Sequence, residues 1–210
     1  MHAHMHARRA VKPASRPASA RERIDRTAYE LFSRHGIRAV GVDTICARSG
    51  VAKMTLYRHY PSKDDLALAF LRRREELWTR SWLQREVERR ARTPAERLLA
   101  VFDVFEKWFR RRDFEGCSFI KVLLEHDDRG HPVRKASEAH IETIRAFLRQ
   151  LAADAGVRDA DAFARQLQMV MMGSIVAAHA GDRDAARRAK DVALLLLARA
   201  GIRSGKGVQG

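Results

Sequence analysis

The stretch from residue 36 to residue 66 constrains the fold of this chain more than any other segment. It reads GIRAVGVDTICARSGVAKMTLYRHYPSKDDL and contains two short helical patterns separated by a glycine turn. In the first pattern, small or apolar residues recur at helical spacing, at Val42, Ile45, Cys46 and Ser49. Gly50 follows where a helix can end in a left-handed residue, which glycine adopts at little cost. The sequence therefore predicts a helix-turn-helix.

The second short helix, residues 53 to 60, presents two different faces. Leu56 and Tyr60 share a face with Val51 and are predicted to pack inward. Met54 and Arg58 lie roughly opposite Leu56, flanked by Thr55 and Tyr57, and this outward face suits the major groove of DNA. Ser62 is predicted to cap the next helix, where Lys63 lies beside backbone N–H groups that can contact a phosphate.

This stretch resembles the N-terminal domain of the tetracycline-repressor-like (TetR) family of bacterial transcription regulators. The family pattern combines spaced small and apolar residues, a Gly-Val turn, a Thr-Leu-Tyr run and a later Lys and Leu. The sequence matches it at Gly36, Val42, Ile45, Gly50, Val51, Thr55, Leu56, Tyr57, Lys63 and Leu66. The resemblance implies a helical, dimeric protein that binds double-stranded DNA.

Roles for individual residues also follow from the resemblance. By position, it implies that phosphates are contacted by Thr55, Tyr57, His59 and Lys63. It implies that base edges are faced by Lys53, Met54 and Arg58. The sequence departs from the family pattern at three positions. Gly41 and Ala52 stand where the family usually has capping hydroxyl residues, and Met54 replaces a common glycine.

Positive charge is concentrated in the same part of the chain. Residues 1–74 contain 16 Lys and Arg against 6 Asp and Glu, whereas the remaining 136 residues contain 25 against 20. A basic surface attracts phosphate and releases counterions, which gives salt-dependent binding to nucleic acid. A GC-rich genome, which favours arginine, explains part of the excess of positive charge but not its uneven distribution along the chain.

Cysteine usage and hydropathy indicate the compartment. Cys46 and Cys117 are far apart and have no paired spacing, which fits a reducing cytoplasm. No apolar run approaches the roughly 18 residues that a membrane span requires. The basic N-terminus is not followed by an apolar segment and does not read as a secretory signal. We expect a cytoplasmic protein without a membrane segment.

Helical periodicity continues along the rest of the chain, with no strand pattern of useful length. Further helices are predicted over residues 19–35, 63–91, 93 onward, 117–126, 132–155, 159–179 and 182–200. We therefore predict an all-α fold with a helix-turn-helix domain (19–66) and a helical-bundle domain for effector binding and dimerisation (67–203). A basic N-terminal arm (1–18) and a short tail (204–210) are predicted to be disordered.

The last two predicted helices indicate association. Residues 193–198 are apolar nearly all round the helix, and such a helix needs cover on every side. Pairing with a symmetry mate would form a four-helix interface, as the family resemblance also implies. Burial of both helices inside a monomer remains the alternative.

An effector pocket is predicted between these regions. Its expected apolar wall consists of Phe102, Phe105, Trp108, Phe109, Cys117, Phe119, Met169 and Met172. Aromatic and methionine residues at helical spacing are more often ordinary core, which is the alternative. Glu125, His126 and His131 form an acidic-histidine cluster that fits either a divalent metal or a solvated helix end. We predict no metal and no cofactor.

These features favour a dimeric repressor that an unknown small-molecule effector releases from a palindromic operator. A nonspecific basic nucleic-acid-binding protein is one alternative, and a helical-bundle metal-dependent enzyme is another. The sequence contains no Glu-x-x-His pair, phosphate loop or nucleophile arrangement that would support catalysis. We predict that the chain is not an enzyme.

Overall fold

The computed structural model describes residues 17–202, apart from the side chains at positions 80 and 81. Within this range the regular structure is entirely helical and no strand is present, which confirms the predicted all-α fold. None of these helices is long and apolar enough to cross a membrane. The predicted arm lies outside the described residues except for positions 17 and 18, and the predicted tail lies wholly outside them.

The N-terminal part contains three helices, α1 (Ala20–His35), α2 (Val42–Ser49) and α3 (Lys53–His59). Helix α1 begins with a capping box, in which Ser19 and Glu22 each accept the other's backbone N–H. Helix α2 ends at Gly50 in the left-handed conformation, with φ 64°, as predicted. No side chain caps α2 or α3, since Gly41 and Ala52 occupy those positions.

The predicted single helix over residues 63–91 is only partly correct. The chain forms α4 (Lys63–Glu75), a π-helical segment (Glu76–Gln84) and α5 (Arg85–Arg90). A π-helix bonds each N–H to the carbonyl five residues back, which widens the helix. Apolar spacing did not reveal this change, because the wider turn still leaves one broad apolar face.

Five further helices complete the described chain. They are α6 (Pro94–Phe109), α7 (Ser118–Glu125), α8 (Pro132–Asp154), α9 (Ala160–His179) and α10 (Ala185–Arg199). Helix α6 begins as predicted, with Pro94 in its first turn and a capping box between Thr93 and Glu96. The other predicted helices match these bounds to within three residues.

The buried apolar residues form two cores. The first combines α1 to α4, and it includes Ile24, Phe32, Ile45, Leu56 and Phe70. Helix α7 adds Phe119 and Val122 to this core, and α8 adds Val133. The second core lies among the π-helical segment, α5, α6, α8, α9 and α10. Helix α7 therefore joins the N-terminal helices to the rest of the molecule.

Candidate nucleic-acid interface

Helix α3 presents a largely unpacked face to solvent. Its inward residue Leu56 is fully buried, and Val51 and Tyr60 are also buried, as predicted. Met54 is 75% exposed and Tyr57 is 37% exposed. Lys53, Arg58 and His59 are also exposed, whereas Thr55 and Lys63 are half-buried. A solvent-facing methionine beside an aromatic ring and basic groups leaves apolar and charged atoms available to a groove.

Long-range hydrogen bonds hold α3 and the preceding turn against α1. The Tyr60 hydroxyl donates to the Asp25 carboxylate. The Arg23 Nε donates to the carbonyl oxygen of Ser49 at 3.1 Å, at the end of α2. The Arg21 guanidinium lies 5.7 Å from the centre of the Tyr60 ring. These contacts fix the end of α2 and the end of α3 against α1, so the outer face of α3 is presented by a fixed support.

Both lysines that were predicted to contact DNA already bind other groups of the protein. The Lys53 ammonium lies 2.8 Å from the Asp43 carboxylate, and this hydrogen bond raises the pKa of Lys53. The Lys63 ammonium donates to the carbonyl oxygen of Arg38 at 3.3 Å. Burial lowers the pKa of Lys63. A phosphate would therefore have to replace an existing partner of each lysine.

The loop before α2 is held by a side chain from α7. One oxygen of the Glu125 carboxylate accepts the backbone N–H groups of Ile37 at 3.0 Å and Arg38 at 3.1 Å. The Arg38 guanidinium donates in return to the Glu125 carbonyl oxygen at 3.4 Å. We refer to this set as the Glu125 contact. It ties the loop that leads into the helix-turn-helix to the C-terminal half of the chain.

Sequence reasoning missed the residues that hold this interface, namely Arg23, Asp25, Asp43 and Glu125. Glu125 is separated from Ile37 by 88 positions, and no local spacing signals that pairing. The pair formed by Lys53 and Asp43 could have been anticipated, because opposite charges occur at the starts of adjacent helices. The glycine at position 36 was a second sequence signal for the structure of this loop. Its φ of 82° is one that residues with a side chain rarely adopt.

The residues assigned to an effector pocket do not form one wall. An apolar cavity of about 40 Å³ lies inside the second core, and Phe105, Cys117 and Met172 line it. Phe102, Trp108 and Phe109 pack elsewhere in that core. The Phe119 ring stacks on His140, with ring centres 3.4 Å apart.

Met169 does not line the cavity, contrary to the prediction, because its side chain is 66% exposed. The cavity is lined from α9 by Gln168, Met171, Met172 and Ile175. These positions are spaced i, i+3, i+4 and i+7, so they share one face of α9. Met169 follows Gln168 by one residue, about 100° further round the helix, and it points to the outside.

Two polar side chains that the prediction omitted reach this cavity. The Gln168 amide donates to the Ile141 carbonyl oxygen at 2.6 Å. His140 is 4% exposed, and burial lowers its pKa to about 4 although the Glu75 carboxylate lies 3.7 Å from Nδ1. Burial also raises the pKa of the Cys117 thiol. The cavity is therefore lined by neutral groups at pH 7.

The acidic-histidine cluster engages in protein contacts. The Glu125 carboxylate accepts hydrogen bonds from the backbone of the α1–α2 loop, and His126 Nδ1 lies 3.1 Å from the Val122 carbonyl oxygen. His131 Nε2 lies 3.4 Å from the Asp64 carboxylate. Within residues 17–202, no three His, Cys, Asp or Glu side chains are grouped so as to hold a metal ion.

Helices α9 and α10 share an exposed apolar face. Met169 and Val176 lie two turns apart on α9, with Gly173 between them facing open space. Val192 is 42% exposed and Leu195 is 70% exposed on α10. Half of the strongly exposed large apolar residues in the described chain lie on these two helices. Exposed apolar side chains concentrated in one region are typical of interaction surfaces.

Comparison with known proteins assigns both halves of the chain to one family. A family model for bacterial regulatory proteins of the tetR family matches residues 24–70. A second model, for the C-terminal domain of tetracyclin repressor-like proteins, matches residues 94–193. The first match covers the helix-turn-helix described above, and the second covers α6 to α9 and most of α10.

Similar solved structures and a similar curated protein support the same family assignment. The chain is 31% identical to a putative TetR transcriptional regulator from Streptomyces avermitilis, with a TM-score of 0.78, covering 89% of this chain and 100% of that one. It is 29% identical to SCO4454, a TetR-family transcriptional regulator from Streptomyces coelicolor, with a TM-score of 0.77, covering 86% and 95%. It is 24% identical to the HTH-type transcriptional regulator YjdC of Escherichia coli, over 74% of this chain and 81% of that protein. The chain belongs to the TetR family and is a DNA-binding transcriptional regulator with an N-terminal helix-turn-helix, not an enzyme.

Proposed function

We propose that this regulator is a dimeric repressor that binds a palindromic operator and is released by a small-molecule effector. The observation that carries the proposal is the outer face of α3, where Met54, Tyr57 and Arg58 are exposed on a helix whose inner face is fixed in a core. An exposed recognition helix on a rigid support can read base edges without reorganisation.

Within the proposal, the seven sequence-assigned residues keep distinct roles. Thr55, Tyr57, His59 and Lys63 contact phosphates and position the protein on the duplex. Lys53, Met54 and Arg58 face the base edges. Arg58 is the strongest candidate for base recognition, because a guanidinium can donate two hydrogen bonds to guanine. The Arg58 side chain is exposed and, unlike those of Lys53 and Lys63, makes no ion pair or hydrogen bond among the described residues.

Dimerisation is proposed through the exposed face of α9 and α10. Gly173 meets no atom within 4 Å where a side chain would begin, so a second helix can approach closely there. Met169, Val176, Val192 and Leu195 would then become buried. A two-fold axis through this face would present two copies of α3 to successive major grooves, roughly 34–36 Å apart.

Selection of bound duplexes from a random-sequence pool tests the operator proposal. At fixed moderate salt, the full-length protein should enrich a palindrome whose half-sites are separated by about one helical turn. Near-equal affinity for selected and scrambled duplexes would instead identify a nonspecific nucleic-acid binder. Transcription in vitro from a promoter that overlaps the selected site should fall on addition of protein, and a rise would overturn repression.

A further inference from the structure

A groove on the outside of the molecule brings together all three tryptophans of the chain. Trp78 and Trp82 come from the π-helical segment, Trp108 from the last turn of α6, and Tyr29 from α1. We call this the tryptophan groove, and its volume is about 370 Å³. The three indoles pack with the second core, whereas α3 packs in the first, so DNA binding as proposed above does not account for them.

Two of the three indole rings remain partly accessible in the groove, whereas Trp108 is buried, with 6% of its surface exposed. The ring centre of Trp78 lies 5.3 Å from that of Trp82 and 4.6 Å from that of Trp108. Trp78 and Trp82 are only half-buried, and the neighbouring Leu77 is 48% exposed. Clustered, half-exposed indoles offer flat surface to a flat apolar partner. π-Helical turns also occur frequently at functional sites.

The charge of the groove determines which partner fits. The Arg111 guanidinium binds the Asp113 carboxylate at 2.8 and 2.7 Å, and this pairing lowers the pKa of Asp113. Arg74 donates to the Tyr29 hydroxyl at 2.9 Å and has no carboxylate within 4 Å among the residues that the structure describes. The charge of Arg74 also contributes to the lowered pKa of Asp113. With two guanidinium groups and one carboxylate among its lining residues, the groove carries net positive charge, so it favours an anion and disfavours a cation.

Size distinguishes the groove from the central cavity. Small-molecule sites typically measure about 300–1,000 Å³, and the tryptophan groove at about 370 Å³ falls in this range, whereas the cavity at about 40 Å³ does not. Trp78 lines both spaces, and Tyr29 belongs to the first helix of the DNA-binding part. A ligand in the groove would therefore touch the wall of the cavity and helix α1 together.

We propose that the tryptophan groove binds a planar aromatic carboxylate, with its ring against Trp78 and Trp82 and its carboxylate on Arg74. The inference names the chemical class of the effector, and it rests on the proposed function only for the link between binding and release of DNA. Binding itself is measured without DNA, so failure of the site and failure of effector control are distinguishable.

Titration calorimetry of the full-length protein with 1-naphthoate tests the site. Arg74→Gln should weaken the binding of 1-naphthoate about 10- to 100-fold, because it removes a charge-assisted hydrogen bond. The neutral 1-naphthamide should bind the original protein at least about tenfold more weakly, and Arg74→Gln should leave its affinity unchanged. Arg72→Gln is the matched control, since Arg72 is exposed on the same helix but does not line the groove.

A second readout locates the ligand. With 5-fluorotryptophan in place of tryptophan, every fluorine resonance arises from the groove, and all three should shift with 1-naphthoate. Met172→Phe, which fills the central cavity, should not change the affinity. The proposal would be overturned if 1-naphthoate bound the Arg74→Gln variant as tightly as the original protein, or if the Met172→Phe variant lost binding. It would also be overturned if the protein preferred 1-naphthylmethylammonium to 1-naphthoate, or if it bound no 1-naphthoate at millimolar concentration. Binding without release of operator DNA would leave the site intact and reject its role as the effector site.

Discussion

Replacement of Gly36 by alanine should disrupt the Glu125 contact through one methyl group. Gly36 has φ 82° and ψ 167°, a conformation that residues with a side chain rarely adopt. A Cβ built there would lie 1.9 Å from Oε1 of Glu125. The carboxylate must therefore move, and it would leave the backbone N–H groups of Ile37 and Arg38.

The expected loss of stability has two parts. The backbone strain costs about 1–3 kcal/mol. Loss of two hydrogen bonds to a charged, half-exposed carboxylate adds about 1.5 kcal/mol each, the low end of the usual range. Gly36→Ala should therefore lower the free energy of unfolding by about 4–6 kcal/mol. Gly50→Ala is the matched control, because Gly50 also has positive φ but meets no atom within 4 Å. That substitution should cost only about 1–2 kcal/mol.

Urea unfolding followed by circular dichroism measures these values, at one fixed concentration because the proposed dimerisation would contribute to stability. In a Glu125→Ala background the clash and the two hydrogen bonds are absent, so Gly36→Ala should then cost only the backbone strain of about 1–3 kcal/mol. Equal costs of Gly36→Ala in both backgrounds would show that the Glu125 contact is not what the methyl group disrupts. The same variants should bind the selected operator more weakly, since the loop leads into α2.

Three further predictions follow from exposed and buried side chains. Tyr57→Ala should weaken binding to every duplex, whereas Arg58→Ala should change preference between operator and scrambled DNA by about 1–3 kcal/mol in fluorescence anisotropy; equal losses on both duplexes would contradict base reading by Arg58. Leu195→Glu should yield monomers in sedimentation, while Leu124→Glu, at a 79% exposed site on α7, should not; an unchanged dimer would exclude the proposed face. Because burial lowers the pKa of His140 from 6.5 to about 4, the unfolded state binds the proton first as pH falls. Between pH 6.5 and 4 the protein should lose about 3 kcal/mol of stability that His140→Leu does not lose, and parallel pH profiles would refute this.

Local features of the fold were predictable because their causes are local. Ser19, Ser62 and Thr93 each precede a helix and cap it, since a hydroxyl there reaches only three residues along the chain. Gly50 ends α2 because its own backbone adopts positive φ at little cost. Leu56 and Tyr60 pack inward because the helical repeat places them on one side.

The candidate effector site was predicted less well. The predicted pocket wall consisted mainly of aromatic and methionine residues, but helical spacing alone does not say which face of a helix borders a void. Met169 lies outside and Phe119 stacks on His140, while the larger groove is built by Trp78 and Trp82 from a π-helical segment. The change from α- to π-helical bonding rotates side chains without altering the apolar content of the sequence.

By itself the sequence determined the all-helical fold, the helix-turn-helix and the residues on the outer face of α3. Each of these depends on the spacing of residues a few positions apart, and the family resemblance reinforced them. Only the tertiary structure decided that Glu125 binds the backbone at Ile37 and Arg38, and that Tyr29 and Trp108 line the same groove. These contacts join residues nearly 80 or more positions apart, and packing of whole helices, not local spacing, brings such residues together.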